Sequence, residues 1–388
     1  MKEITRIITH GRGEDYGIVN PPVYRASTVL FPTVADLEKA SLPGHDRRFT
    51  YGRNGTPTIW ALEDAIIDLE DGYACTLLSS GLAAITTALF SFLKSGDHLL
   101  MVDSTYGPTR RFCDETLADL GVETTYYDPL IGTKISSLMQ SNTRVVFLES
   151  PGSQTFEVQD IPAITSVVKE SDAITIMDNT WATPYYFKPL ANGVDVSVLS
   201  ATKYIVGHAD AMLGSITTTR NVWDMVHRSF RNLGGYANPD DCYLALRGLR
   251  TLSVRLAKHH ESGLEIARWL TNRPEVSRVL YPPLEDDPGH TIWRRDFKGA
   301  SSLFGVVLEP CSKKSLHLFL NSLKIFGMGY SWGGYESLIV PTNPSKGRTA
   351  TTWDDTKPSL RFHIGLEDPS DLINDLENCF SLMAKSKG

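Results

Sequence analysis

The pattern of hydrophobic and polar positions divides this chain into an irregular beginning and a regular remainder. Residues 1–55 contain prolines and glycines spaced too closely for a long element, so we expect an arm that lies against its own chain or against another subunit. From Thr58 to Glu70, apolar residues recur at helical spacing, and this pattern stops at Gly72. The folded body of the protein is therefore expected to begin near residue 56.

Short apolar runs then alternate with amphipathic stretches, which is typical of a mostly parallel sheet covered by helices. The predicted strands are Cys75–Leu78, Leu99–Val102, Val145–Leu148, Ile174–Met177, Val196–Leu199 and Leu213–Thr217. Predicted helices between them include Leu82–Leu93 and Ile161–Lys169. Beyond residue 250, the pattern predicts a strand over Ser302–Leu308 and helices over Leu252–Trp269, Ser315–Leu323 and Pro369–Ala384. We therefore predict an α/β protein with an arm (1–55), a large domain (56–250) and a smaller C-terminal α/β domain (251–388).

Composition narrows the class of protein. The 388 residues are 41% hydrophobic and 21% charged, as in ordinary globular proteins, and the formal net charge of −7 argues against a nucleic-acid partner. No apolar run approaches the ~18 residues of a membrane span, and the first residues lack the apolar core of a signal peptide. The five cysteines are scattered without a C-x-x-C pair, so we expect reduced thiols, no metal site and a cytoplasmic location.

Polar residues follow several predicted strands, namely Asp103, Glu149, Asp178 and Ser200. Ligands bind beyond the carboxyl ends of the strands in open parallel sheets, although polar residues also simply mark strand ends. One of these strands continues into Ser200-Ala201-Thr202-Lys203. A lysine there is either a solvated charge or a desolvated amine that can condense with a carbonyl group.

Two further segments favour the second interpretation. Asp178 is expected at the same sheet edge as Lys203, and a carboxylate for a pyridine nitrogen together with a lysine for a Schiff base are what pyridoxal phosphate requires. Gly81 opens a helix after a strand, where free N–H groups suit a phosphate. Tyr106 follows another strand and could stack on a cofactor ring or pack in the core.

The segment Gly329–Gly333 matches the nucleophile-elbow pattern of serine hydrolases. That pattern requires a helix after the serine. Here a strand-like sequence that ends at Pro341 follows instead, which argues against a hydrolase.

Taken together, the motifs resemble the Cys/Met-metabolism family of pyridoxal-phosphate enzymes, and the resemblance covers nearly the whole chain. The segments that carry it are Tyr51-Gly52-Arg53, Ser79-Ser80-Gly81, Met177-Asp178-Asn179-Thr180-Trp181, Ser200-Ala201-Thr202-Lys203-Tyr204, Tyr330-Ser331-Trp332-Gly333-Gly334-Tyr335-Glu336-Ser337 and Leu360-Arg361-Phe362-His363-Ile364-Gly365-Leu366-Glu367.

This resemblance implies a role for each matching residue. Lys203 is expected to bind the cofactor covalently and to act as catalytic base and acid, with help from Tyr106 or Tyr51. The resemblance implies that the cofactor is held by Asp178, Tyr106, Gly81, Leu82, Ser200 and Thr202 of one subunit and by Tyr51 and Arg53 of its neighbour. It also implies that the substrate α-carboxylate is bound by Arg361, beside Tyr330, Ser331 and Trp332.

The resemblance further implies a type I pyridoxal-phosphate fold and a homo-oligomer, as a tetramer of active dimers. Within the family, the motifs match the β-lyase branch, which converts L-cystathionine to homocysteine, pyruvate and ammonia in methionine biosynthesis. Tyr330 stands where several γ-acting relatives carry glutamate, and Pro108 stands where methionine γ-lyases carry cysteine. The alternatives are a γ-acting transsulfuration enzyme or sulfhydrylase and, more remotely, a non-catalytic binding protein with this fold. Asn54 departs from close relatives, which often have arginine there.

Overall fold

The arm is partly helical, and its first helix packs against the body of the same chain. The computed structural model describes residues 1–12, 17–41 and 47–385, so parts of the predicted arm lie outside the described residues. Two short helices, α1 (Glu3–Thr9) and α2 (Val34–Ser41), occur where the sequence predicted no long element. In α1, Ile7 is buried and Arg6 donates a hydrogen bond of 2.7 Å to Asp68 in the first helix of the body.

A seven-stranded mixed sheet lies at the centre of the larger part of the molecule. Its strands have the spatial order β1-β7-β6-β5-β4-β2-β3. In chain order the strands are β1 (Ala74–Leu78), β2 (His98–Val102), β3 (Glu123–Tyr127), β4 (Thr143–Glu149), β5 (Ile174–Asp178), β6 (Val196–Leu199) and β7 (Gly214–Thr218). Strands β6, β5, β4, β2 and β3 are parallel, whereas β7 is antiparallel to both of its neighbours. The carboxyl ends of five parallel strands therefore meet at one edge.

Helices cover this sheet and build most of the remaining body. The first of them, α3, starts where the Thr56 hydroxyl accepts a hydrogen bond from the Ile59 amide and Pro57 occupies the first turn. The helices after the arm are α3 (Pro57–Glu70), α4 (Gly81–Phe90), α5 (Gly107–Arg111), α6 (Ile161–Val168), α7 (Thr183–Tyr186), α8 (Trp223–Asn232), α9 (Pro239–Leu249), α10 (Leu252–Thr271), α11 (His290–Asp296), α12 (Lys313–Ser322) and α13 (Pro369–Lys385). Through residues 1–12, 17–41 and 47–385, no helix has both the length and the apolar character needed to cross a membrane.

A second sheet of four strands forms the C-terminal part. The strands are β8 (Val276–Leu280), β9 (Leu303–Leu308), β10 (Leu338–Thr342) and β11 (Ser359–His363). They are antiparallel in the order β10-β11-β9-β8. Arg361, at the middle of β11, lies opposite Val340 and Gly305 on the two neighbouring strands.

Candidate active site

The edge formed by the carboxyl ends of the parallel strands brings several predicted site residues together. Asp178 ends β5, and the chain leaves β6 directly into Ser200 and Lys203. Asp178 is buried, and its Oδ1 accepts hydrogen bonds from the Thr180 amide (2.9 Å) and hydroxyl (2.5 Å). The same Thr180 hydroxyl accepts a hydrogen bond of 2.8 Å from the Ser200 amide. The ends of β5 and β6 are thus fixed to each other beside the lysine.

Lys203 is a largely desolvated amine. Its Nζ donates a hydrogen bond of 2.5 Å to the Ser331 hydroxyl and lies 5.2 Å from the centre of the Trp332 ring. The pKa of Lys203 is lowered to about 8, chiefly by burial and also by the nearby Arg361 cation, while Asp178 acts in the opposite direction. An amine in this environment can accept and release a proton near neutral pH.

A single turn connects this lysine to Arg361. Ser331 has a left-handed φ of 75°; its hydroxyl accepts from Lys203, while its carbonyl accepts a hydrogen bond of 3.0 Å from Arg361 Nη2. Burial lowers the pKa of Arg361, so this guanidinium is also removed from bulk water. A Cβ at Gly333 would lie 2.9 Å from the Lys203 Cβ, and the φ of Gly333 is 86°. Glycine therefore allows the turn to approach the lysine.

Gly81 and Ser200 pack closely at the start of α4, and together they form a cradle, called here the glycine cradle. The Ser80 hydroxyl caps this helix by accepting from the Ala83 amide at 3.1 Å, so the first amides, at Gly81 and Leu82, remain available to a ligand. A Cβ at Gly81 would lie 2.6 Å from the Ser200 hydroxyl oxygen. The Thr202 hydroxyl instead donates to the Leu213 carbonyl (3.1 Å), so its only proton points into the fold in this structure.

Tyr106 is half-exposed at the start of α5. Its main chain is held by Glu149, which was not predicted as part of the site. The Tyr106 amide donates a hydrogen bond of 2.7 Å to Glu149 Oε2. Burial raises the pKa of the Tyr106 phenol, and the carboxyls of Asp178 and Glu149 raise it further. His363 was also missed as a site residue; its Nε2 lies 3.2 Å from the Gly333 amide and 3.1 Å from the Gly334 carbonyl.

The contacts of three other predicted residues, Tyr51, Arg53 and Tyr330, are different. Tyr51 pairs with Thr28 of the arm. Arg53 donates a hydrogen bond of 3.2 Å to the carbonyl of Arg231 at the end of α8. Tyr330 is 93% exposed, although the adjacent Ser331 accepts a hydrogen bond from Lys203. Tyr51 and Arg53 are therefore in contact with the arm and with the end of α8, respectively.

The residues that are brought together fit pyridoxal phosphate. The glycine cradle beside Ser200 leaves helix amides for a phosphate, a buried carboxylate is available for the pyridine nitrogen, and a desolvated amine is available for the aldehyde. Across the described ranges, no cluster of metal-ligating side chains is present. Lys203, Asp178, Gly81, Leu82, Ser200 and Tyr106 would hold the cofactor.

Comparisons with known proteins identify the family of this chain. The family described as "Cys/Met metabolism PLP-dependent enzyme" matches residues 4–381. Cystathionine beta-lyase MetC of Escherichia coli is 43% identical, covering 97% of this chain and 98% of its own. L-alanine/L-glutamate racemase of Wolbachia pipientis is 41% identical over 97% of this chain and 96% of its own. A crystal structure of cystathionine gamma synthase from Xanthomonas oryzae, in complex with aminoacrylate and cysteine, is 29% identical, covers 99% of each chain and has a TM-score of 0.91.

Proposed function

Because the chain belongs to the Cys/Met metabolism PLP-dependent enzyme family, we propose that it is a carbon–sulfur β-lyase acting on L-cystathionine. The reaction consumes water and gives homocysteine, pyruvate and ammonia. The structural observation that carries the proposal is the Ser331 turn, which joins the Lys203 amine to the Arg361 guanidinium. β-Elimination needs both groups at the amino-acid end of the substrate: a base beside the Cα proton and an anchor for the α-carboxylate.

Bound pyridoxal phosphate supplies an electron sink that stabilises negative charge at the substrate Cα. Lys203 Nζ then moves the protons: it takes the one from Cα and delivers one to the departing sulfur. Its lowered pKa of about 8 suits both steps, since the amine is neither permanently charged nor too weak a base. Tyr106 lies at the same edge of the sheet, near Asp178 and Arg361, and is available to help orient the substrate.

Arg361 binds and orients the substrate. Its guanidinium fork can hold a carboxylate through two parallel hydrogen bonds, which fixes the rotation of the substrate about its Cα. Ser331 holds one guanidinium nitrogen through its carbonyl and the lysine through its hydroxyl. The turn therefore fixes the position of the Arg361 guanidinium relative to the Lys203 amine.

Two other activities are tested alongside the β-lyase. A γ-acting enzyme would release 2-oxobutyrate and cysteine from the same substrate. The 41% identity to L-alanine/L-glutamate racemase favours a second candidate, racemisation, because removal and return of a Cα proton requires the same base. Purified protein loaded with pyridoxal phosphate should be incubated with L-cystathionine and, separately, with L-alanine. We expect pyruvate from the first and little D-alanine from the second; 2-oxobutyrate or fast racemisation would contradict the β-lyase proposal.

We also propose a homo-oligomer in which Tyr51 and Arg53 complete the phosphate site of a neighbouring subunit, within a tetramer of active dimers. Support comes from the contacts that Tyr51 and Arg53 make in the single chain, with Thr28 and Arg231, and from exposed apolar residues along the arm, such as Leu30 (87% exposed) and Val34 (71% exposed). Mixing inactive Arg53→Ala and Lys203→Ala subunits should restore part of the activity, because a hybrid dimer contains one intact site. No recovery despite verified subunit exchange would contradict shared sites.

We further propose a cytoplasmic location. The buried cysteines Cys75, Cys113, Cys242 and Cys379 are thiols rather than disulfides, as expected in a reducing compartment. Cell fractionation should recover the activity with cytoplasmic markers, and recovery with periplasmic or membrane markers would contradict this location.

A further inference from the structure

Two carboxyl groups lie side by side at the sheet edge, and the proposed reaction uses only one of them. In the parallel pairing of β4 and β5, Glu149 is directly opposite Asp178. Both residues end their strands, and each is only 8% exposed. Asp178 is the carboxylate assigned to the cofactor, whereas Glu149 has no assigned role.

Glu149 has a specific set of partners. Its Oε2 accepts hydrogen bonds from the Tyr106 amide (2.7 Å) and the Thr105 hydroxyl (3.2 Å). Its own amide donates to Gln159 Oε1 at 3.0 Å. The side chain therefore connects the end of β4 to the segment after β2 that carries Tyr106.

Two adjacent buried carboxyls do not both carry a charge at neutral pH, because like charges repel strongly in a poorly hydrated site. The surroundings of the two groups differ. On Asp178, two hydrogen bonds from Thr180 and the Lys203 cation oppose the upward effect of burial on the pKa. On Glu149, burial first and the charge of Asp178 second raise the pKa well above its usual range. The hydrogen bonds from the Tyr106 amide, the Thr105 hydroxyl and the Ser153 amide act in the opposite direction but do not cancel this rise. The Tyr106 phenol also faces both carboxyls.

We propose that Glu149 is a positioning residue of the site: it holds the proton of the carboxyl pair, so that Asp178 keeps its negative charge, and its Oε2 fixes the main chain of Tyr106. The consequence rests on the proposed function, in which a charged Asp178 is needed opposite a protonated pyridine nitrogen. A neutral Glu149 presents an acceptor oxygen to Tyr106 without adding a second charge. A glutamine side chain has the same shape as glutamate and, like protonated glutamate, carries no charge. It can therefore replace a protonated glutamate but not an ionised one.

Cofactor binding by three variants distinguishes the two members of the pair. Glu149→Gln should bind pyridoxal phosphate with a dissociation constant within about threefold of the wild type and keep its visible spectrum. Asp178→Asn should weaken binding at least about tenfold, and Glu149→Ala should perturb the spectrum because Tyr106 loses its anchor. A damaging Glu149→Gln, or a tolerated Asp178→Asn, would overturn the assignment of the proton.

Stability of the cofactor-free protein gives a readout independent of activity. A carboxyl whose folded-state pKa is raised above its unfolded value contributes stability that is lost as pH rises. The amide introduced by Glu149→Gln cannot ionise, so the Tm of this variant relative to wild type should increase between about pH 5 and about pH 8. Glu70→Gln is the matched control: burial raises the pKa of Glu70 to about 8 and its partner is Ser197, so it should show a similar Tm trend with no spectral change.

A Tm difference for Glu149→Gln that stays constant with pH would mean that Glu149 is already ionised, and the proposal would be wrong. Both readouts are obtained without substrate. A failed cystathionine assay with these results intact would therefore refute the proposed reaction and leave the proton assignment standing.

Discussion

Replacement of Arg361 by lysine tests the proposed substrate anchor. Arg361 is central in β11, its pKa is lowered by burial, and one of its nitrogens is fixed on the Ser331 carbonyl. Lysine keeps the positive charge but offers a single mobile point of contact in place of a planar fork. For a desolvated charge pair, a loss of about 2–4 kcal/mol in transition-state stabilisation is reasonable, which corresponds to about 30-fold to about 900-fold in kcat/KM.

The assay measures keto-acid release from L-cystathionine across substrate concentrations, together with the visible spectrum of each protein. We expect Arg361→Lys to keep the cofactor spectrum while kcat falls and KM rises. Arg278→Lys is the matched control, because Arg278 lies in β8 of the same sheet and stacks over Trp353 at 5.3 Å. A kcat/KM for Arg361→Lys within about threefold of the wild type, below about 1 kcal/mol, would refute the anchor.

Three further predictions concern the cradle, a buried carboxylate and the lysine. Gly81→Ala should reduce the affinity for pyridoxal phosphate at least about tenfold in a titration, because the new Cβ would lie 2.5 Å from the Ser200 Cβ. Gly347→Ala is the control and should leave the affinity unchanged, because nothing lies within 4 Å of a Cβ at that position. Asp103→Asn should expose residues 349–351 to limited proteolysis, since the Asp103 carboxylate accepts hydrogen bonds from all three of their amides; unchanged cleavage would contradict this. In the cofactor-free protein, Lys203→Met should raise Tm near neutral pH and raise it less as pH increases above about 8, because the lowered pKa of Lys203 penalises folding only while the unfolded lysine is protonated. An advantage that does not shrink at alkaline pH would show that Lys203 is not desolvated.

Much of the central sheet could be predicted from sequence because its strands are buried on both faces. Six of the seven strands consist almost entirely of buried residues, as parallel sheets covered by helices require. The exception is β3, Glu123–Tyr127, an edge strand whose polar, half-exposed side chains lack that signal. The helices of the arm were missed for a related reason: α1 and α2 are short, and α1 is stabilised by contacts with α3 rather than by its own pattern.

The site was predictable where a motif and a strand end coincide. Asp178 ends β5 and Lys203 follows the neighbouring parallel strand β6, so their placement at the same sheet edge follows from the parallel pairing of these strands. The contact of Ser331 with Lys203 depends on a left-handed turn between distant segments, which local sequence does not specify. Glu149 had a usable signal, since it was one of four polar strand ends, but only the register of β4 against β5 places it beside Asp178.

The central claim is that Lys203 and Arg361 act on L-cystathionine by β-elimination. The most direct measurement is the product balance of purified, cofactor-loaded protein with L-cystathionine, with pyruvate, 2-oxobutyrate, homocysteine and cysteine separated by chromatography and identified by mass, and with Lys203→Ala as the control. The account predicts equal amounts of pyruvate and homocysteine from the wild type and almost none from the variant. Production of 2-oxobutyrate and cysteine, or undiminished turnover by Lys203→Ala, would contradict it.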